Sequence, residues 1–426
     1  MQIRILRWPD DQEALFHYFE RVYGPEEQNT ISAWYGTYPG FVPADAFVVE
    51  AEPDGDIVGH ALLIPRALQI GEAVLPAAEI ALADVDESHH KQGIERALLE
   101  IAHERLDARE AAVSLTLGLP NSYEHWQYDY AAGLYLTSFE PDISLDLAQK
   151  AGSWDSLHTY ERRTADRLGA HSQSVIVRPF YASDLPTVQA LYAAESARGS
   201  YLIARDEAQW LWQMDYLIHT GRYEPDDFLV AEIDNRLVAY VRVISHQDVN
   251  WFRGADAAHF SVIEAAGDHA DGVEALLAEV ARMAERLDVE RIGLFVPHDS
   301  AFMAHALARG ASLRTFTGAA YLRLHDLPLA LSHLAPALEE RRLNSRYTGR
   351  AYRLAITTEH DEVAVDLGMG SPETVELEIP STSLMRLITG WYGIDHLTTG
   401  YHERYHDLLA VLFPRRRPMI GIADLL

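Results

Sequence analysis

The chain has 426 residues, 48% of them apolar, a formal net charge of −29 and no cysteine. That length exceeds one hydrophobic core and implies two or three globular domains, while the lack of cysteine excludes disulfides, a thiolate nucleophile and Cys-ligated metal. The acidic field disfavours nucleic acid and anionic lipid and attracts amines, and no run approaches the roughly 18 consecutive apolar residues of a membrane span. With no signal-peptide pattern at the amino terminus, a cytoplasmic protein without nucleic-acid or membrane partners is expected.

The patterning predicts a strand over 2–6 and a helix over 11–23, then a hairpin of strands 46–50 and 56–64 around Asp54-Gly55. Val74-Leu75 opens an apolar run that ends in a polar turn before Gly93. Leu98, Ala102 and Leu106 then repeat at helical spacing, with Ile101 beside them. A strand over 112–117 and the tyrosine-rich segment from Tyr123 to Tyr130 complete a mixed α/β segment. Residues 149–174 read as a polar connection. The grammar then repeats: strand 175–179, a helix to Ala194, hairpin 228–232 with 237–243, an amphipathic helix over 272–287 and a strand over 291–296. This has the form of a diverged internal repeat. From Leu324 the chain reads as α+β, with helices over 329–342, 383–388 and 402–412 and strands over 353–357, 362–366 and 374–378.

The strand, polar turn and helix start around Gly93 make an anion-binding device. The first helical N–H groups lack intrahelical partners, and the peptide dipoles favour negative charge there. One of only two lysines in the chain, Lys91, lies in this turn. Neither G-x-x-x-x-G-K-[ST] nor G-x-G-x-x-G occurs, so nucleoside triphosphates and nicotinamide cofactors are not signalled. The turn His90-Lys91-Gln92-Gly93-Ile94-Glu95 resembles the acyl-CoA loop of the GNAT N-acetyltransferases, [RQ]-x-x-G-x-[GA], with His90 in place of Arg or Gln and Glu95 in place of the small residue. The matching turn of the repeat, His269 to Glu274, carries two carboxylates and no basic residue besides His269, so phosphate binding is not expected there.

Three further matches make the whole chain resemble the acetyltransferases related to the mycobacterial enhanced-intracellular-survival (Eis) protein. Val74-Leu75-Pro76 followed by Val85 to Gly93 is similar to that family's V-L-P and V-x-P-x-H-R-R-x-G. Tyr123-Glu124-His125-Trp126-Gln127-Tyr128 is similar to Y-x-R-F-G-Y. Leu412-Phe413-Pro414 precedes a proline, an acidic residue and an apolar carboxy terminus. The resemblance implies two tandem GNAT domains, over 1–150 and 172–323, the second degenerate, and a sterol-carrier-protein-like α+β domain over 324–426. It also implies acetyl-CoA as co-substrate, a small-molecule or peptidyl amine as acceptor, no metal, and a homo-oligomer, hexameric in the family.

Carried over residue by residue, the resemblance implies that Leu82, Ala83, Asp84 and Val85 pair with the pantetheine arm. The amides of His90, Lys91, Gln92, Gly93 and Ile94 would hold the pyrophosphate, with Lys91, His90 or Arg96 supplying positive charge. Direct transfer to an amine needs a base for the ammonium proton and an acid for the leaving thiolate. The family's pattern gives these roles to the α-carboxylate of Leu426 and to Tyr128, with Tyr123 and Tyr130 as competitors for the acid. Two other readings stay open. One is a non-catalytic CoA- or lipid-binding protein. The other is a zinc peptidase, since His402-Glu403-Arg404-Tyr405-His406 spells H-E-x-x-H, which on a helix would set both histidines on one face with Glu403 as base.

Overall fold

The computed structural model describes residues 1–51, 55–117, 126–140, 159–161, 174–199, 201–219, 225–244, 260–397 and 399–424. The chain divides into two compact units. One comprises Met1–Ala132, Ile203–Tyr216 and Gly318–Arg416; the other comprises Gly133–Leu202, Leu217–Thr317 and Arg417–Leu426.

The amino-terminal run gives β1 (Gln2–Ile5), α1 (Gln12–Tyr23), α2 (Pro25–Ser32), β2 (Ala46–Glu50), β3 (Ile57–Ile70), β4 (Ala73–Val85), α3 (Ile94–Asp107), β5 (Val113–Thr116) and the start of β6 (Asp129–Phe139). Strands β1 to β4 pair antiparallel in sequence order, and β4 then pairs parallel with β5. The β3–β4 hairpin is longer than its apolar patterning suggests, because most of β3 is buried on both faces and does not alternate. Helix α1 turns Leu15, Tyr18 and Phe19 inward at helical spacing. Helix α3 does the same with Ile94, Leu98, Leu99, Ala102 and Leu106, which pack with Phe47, Leu63, Ile80 and Tyr128 in one core cluster.

Next come β7 (Thr159–Glu161), β8 (Ser174–Pro179), α4 (Leu185–Ala197), β9 (Ile203–Ala204), α5 (Glu207–His219), β10 (Phe228–Ile233), β11 (Arg236–Ile244), β12 (Phe260–Gly267), α6 (Ala270–Arg286), β13 (Ile292–Leu294), α7 (Ala301–Ala308) and β14 (Ser312–Leu324). Within the second unit β8, β10, β11 and β12 form an antiparallel run, β13 joins β12 in parallel, and β6 pairs with β13. Helix α5 has no counterpart in the sequence reading; its apolar side chains occur without a clear stripe, and its Trp212 packs with the first unit's aromatic cluster. The end of β14, Tyr321 to Leu324, pairs with β5 inside the first unit.

The last part of the first unit holds α8 (Leu327–Leu343), β15 (Tyr352–Thr357), β16 (Glu362–Leu367), β17 (Glu373–Glu378), α9 (Ser381–Thr389) and α10 (His406–Leu412). Asp326 caps α8 by accepting from the Leu329 amide at 2.7 Å. Its three-stranded sheet runs β16-β15-β17, antiparallel then parallel. The helix predicted over 402–412 is shorter: His402 is extended (φ −80°, ψ 128°), a single 3₁₀ turn spans Glu403–Tyr405, and α10 begins at His406. No helix among the described residues is long and apolar enough to cross a membrane.

Candidate active site

The site is built where β4 parts from β5. Their parallel pairing ends at Ile80 and Thr116, and the Thr116 hydroxyl ties the two strands there by donating to the Ile80 carbonyl at 3.1 Å. Beyond that point the β5-facing edge of residues 81–85 has no strand against it among the described residues. On its other edge β4 still pairs with β3, but the register slips: Ala81 faces Leu62 and Asp84 faces His60. Leu82 and Ala83 thus bulge opposite a single residue, and Leu82 takes a left-handed φ of +52°.

The bulge is backed by side chains that no motif marks. His60, fully buried, lies 3.2 Å through Nδ1 from the Leu82 carbonyl, while its Nε2 meets the Tyr35 hydroxyl. A carbonyl only accepts, so Nδ1 carries the proton and Nε2 accepts from Tyr35. Burial lowers the imidazole pKa to about 3, so the ring is neutral. Next along the strand, Tyr18 donates to the Asp84 carbonyl at 3.0 Å and Tyr23 to the Asp84 carboxylate at 2.7 Å. Asp84 keeps a solvent-exposed edge, yet desolvation of its carboxyl group raises its pKa against the opposing Tyr23 hydrogen bond. Asp86 behaves oppositely: hydrogen bonds from Ser88 and Arg21 hold it down at about 2.

The loop that follows closes on itself. The His90 ring donates through Nε2 to the Val85 carbonyl at 2.8 Å, so this histidine fixes the loop. Lys91 and Gly93 both adopt left-handed backbone, φ +62° and +80°, and Gly93 is the N-cap of α3. The amides of Lys91 to Gly93 have no backbone acceptor among the described residues, and those of Ile94, Glu95 and Arg96 have no intrahelical one. A Cβ placed on Gly93 would meet nothing within 4 Å. Glycine is therefore required here by conformation and leaves open space for an approaching ligand. Lys91 and Glu95 are exposed, and Arg96 pairs with Glu100 at 3.0 Å.

Of the three candidate tyrosines, Tyr123 lies outside the described residues. Tyr128 is 2% exposed, with its hydroxyl 2.6 Å from Ser114 Oγ and 3.2 Å from His103 Nε2. Ser114 Oγ in turn lies 2.6 Å from His325 Nε2. Tyr130 instead stacks on Tyr321, with centroids 5.2 Å apart. Leu426 also lies outside the described residues. The tail before it is held inside the second unit: the Pro418 carbonyl accepts from Gly133 at 2.9 Å, the Met419 carbonyl accepts from Leu202 at 2.9 Å, and Met419 to Asp424 are buried.

The repeat's turn is built differently. His269 caps α6 by accepting from the Asp271 amide, and Gly272 lies inside the helix, where a Cβ would approach Val238 to 2.5 Å. That glycine serves close helix–sheet packing, whereas Gly93 faces open space. The H-E-x-x-H segment does not present two histidines on one helical face, because His402 precedes the helix and caps the Arg404 amide, while His406 meets the Tyr401 hydroxyl at 2.9 Å. Among the described residues no group of three His, Asp or Glu side chains could hold a metal ion.

Residues 2–131 match the family described as acetyltransferase (GNAT) domain. No curated protein matches the chain. Among solved structures, it is similar to a GCN5-related N-acetyltransferase from Kribbella flavida (14% identity, 99% of each chain covered, TM-score 0.65). It is also similar to a GCN5-related N-acetyltransferase from Anabaena variabilis (14% identity, 98% of this chain and 99% of that one, TM-score 0.64). Eis1 from Mycobacterium abscessus shares 16% identity over 99% of each chain, with a TM-score of 0.58. The chain thus carries a GNAT acetyltransferase domain in residues 2–131, within a full-length fold shared with GCN5-related N-acetyltransferases.

Proposed function

We propose that the protein is an acetyl-CoA-dependent N-acetyltransferase that acetylates a primary amine by direct transfer. The observation that supports this most is the edge of β4 beyond Ile80, which faces no strand among the described residues and runs into a loop whose amides have no backbone acceptor among them. An unpaired strand edge binds an extended arm through main-chain hydrogen bonds, and a helix start binds phosphate. Leu82, Ala83, Asp84 and Val85 offer the first, and the amides from Lys91 to Ile94 offer the second. Lys91 is the cation nearest to hand, since His90 is engaged with Val85 and Arg96 with Glu100.

Acetyl-CoA supplies the acetyl group as a thioester. Tyr128 is the proposed acid that protonates the leaving sulfur, and the α-carboxylate of Leu426 is the proposed base that takes the ammonium proton. The buried tail before Leu426 supports this, because a terminal carboxylate can act only if the segment carrying it is held. The acidic surface favours polycationic acceptors such as aminoglycoside-like amines or exposed lysines. The domain limits 1–150, 172–323 and 324–426, a sterol-carrier-like last domain, a cytoplasmic setting and a homo-oligomer, hexameric by resemblance, belong to the same proposal.

Titration calorimetry with acetyl-CoA tests the cofactor site. Binding is expected, together with its collapse in Gly93→Arg; no binding to the wild-type protein overturns the enzyme reading. A thiol-release assay over a panel of amines then identifies the acceptor. Tyr128→Phe and deletion of Leu425 and Leu426 should each cut turnover at least tenfold, and undiminished rates overturn those two assignments.

A further inference from the structure

We infer that Ser114 and His325 are positioning residues that form a buried proton relay, joining the Tyr128 hydroxyl to solvent at Asp107. The inference rests on the reading of Tyr128 as the acid. It is carried by the geometry of the hydrogen-bonded run. Tyr128 Oη lies 2.6 Å from Ser114 Oγ, which lies 2.6 Å from His325 Nε2. The other ring nitrogen of His325 faces the Asp107 carboxylate at 3.5 Å. Ser114 is fully buried and the His325 side chain is 2% exposed, whereas the Asp107 side chain is 71% exposed. The run therefore leads from the core to the surface without a gap that needs water between Tyr128 and His325.

Asp107, His325 and Ser114 have the order of a nucleophilic triad, but the serine cannot serve as nucleophile. Its Oγ is flanked by the Tyr128 hydroxyl and the His325 ring, 2.6 Å from each. The arrangement suits proton movement instead. When Tyr128 gives its proton to a leaving sulfur, the phenolate oxygen takes the Ser114 Oγ proton. With the neutral ring protonated on Nε2, Ser114 Oγ takes that proton, and His325 Nδ1, bare until then, takes one from solvent at the Asp107 end, which leaves the ring as its Nδ1-protonated tautomer. One proton enters, one leaves, and each group along the run regains its starting charge.

Three elements face His325. Helix α3 brings Asp107 and His103, β14 brings Arg323, and β5 brings Ser114. Burial, then Arg323 and His103, lowers the His325 pKa to about 3, so the proton hops through a neutral ring and is not stored on it. His103, also held neutral by burial, keeps its Nε2 3.2 Å from Tyr128 Oη and can donate to the phenolate as it forms.

Two measurements on the full chain test this. In protein labelled at the tyrosine ζ-carbon, the Tyr128 signal is assigned by its loss in Tyr128→Phe and followed over pH. Ser114→Ala should move its titration upward by about one pH unit, because a donor to the phenolate is gone. An unmoved titration overturns the relay whatever the activity. The second measurement is kcat and its solvent isotope effect, with acetyl-CoA and the amine selected from the panel. His325→Gln keeps a polar group beside Ser114 but passes no proton. It should lower kcat at least tenfold with the KM for acetyl-CoA unchanged, and should enlarge the isotope effect. If Tyr128→Phe abolishes turnover while Ser114→Ala and His325→Gln leave kcat intact, the acid assignment stands and the relay falls. If Tyr128→Phe leaves turnover intact, the acid assignment falls, and the relay as a catalytic device falls with it.

Discussion

His60 holds the Leu82 carbonyl at the point where β4 bulges, 3.2 Å away and in the buried core of the first unit. The left-handed φ of Leu82 is a conformation that a leucine adopts only under constraint, so the imidazole is part of what fixes the bulge. His60→Leu fills the space but strands the Leu82 carbonyl and the Tyr35 hydroxyl without partners. Each buried orphan costs about 1–3 kcal/mol, so a loss of about 2–6 kcal/mol is expected from urea unfolding. Tyr35→Phe orphans only the imidazole Nε2 and should cost about 1–3 kcal/mol. Acetyl-CoA affinity should weaken more in His60→Leu than in Tyr35→Phe, since only the first releases the bulge; calorimetry on both proteins measures the difference.

Gly93 caps α3 whereas Gly272 lies in the first turn of α6, and the two should respond differently to alanine. At Gly93 the methyl meets no protein atom but the φ of +80° is strained, so stability should fall by about 1 kcal/mol. The methyl would occupy the space beside the loop amides, so acetyl-CoA affinity should fall about tenfold or more, equivalent to at least about 1.4 kcal/mol. At Gly272 the methyl runs into buried Val238, an overpacking that costs about 1–3 kcal/mol, while acetyl-CoA affinity stays at the wild-type value. Unfolding and calorimetry on the two single variants separate the two effects.

How much of this was legible in the sequence depended on whether a feature was local. The turn from His90 to Glu95 was readable because a strand, a glycine and a helical repeat lie side by side in the chain. The order of strands in the first 117 residues was readable for the same reason. The bulge at Leu82 was not, because nothing in the sequence marks a register slip that depends on how Ala81 and Asp84 face β3. His60, Tyr18 and Tyr23 were missed because each reaches the bulge through tertiary packing from 22 to 66 residues away. His325 lies 211 residues from Ser114, and no spacing rule reaches that far. The helical reading of His402 to His406 failed because apolar periodicity begins only at Leu408, and the His402 ring prefers to cap the turn.

The same segment yields a prediction about metal. His402 and His406 are committed to the Arg404 amide and the Tyr401 hydroxyl, and they stand on different local conformations. Zinc coordination by this pair would require rebuilding the turn. Protein purified without a histidine tag should contain well under one equivalent of zinc by elemental analysis. Treatment with a chelator, followed by its removal, should leave both the unfolding midpoint and acetyl transfer unchanged.

Three buried histidines make the fold acid-sensitive. His60, His103 and His325 are each held neutral, mainly by burial, with pKa values lowered from 6.5 to about 3. In the unfolded chain they titrate at the ordinary value, so between about pH 6.5 and 3 the unfolded state binds more protons than the folded one. Unfolding then takes up protons, and stability falls as pH falls through that window, while above it these groups contribute no pH dependence. Three protons correspond to a slope of at most about 4 kcal/mol per pH unit. Urea midpoints measured at pH 7.5, 6, 5 and 4 should therefore drop steeply below about pH 6. Replacing His325 by glutamine removes one titrating group and should lower that slope by about a third, and an unchanged slope would show that His325 already carries its proton in the folded state.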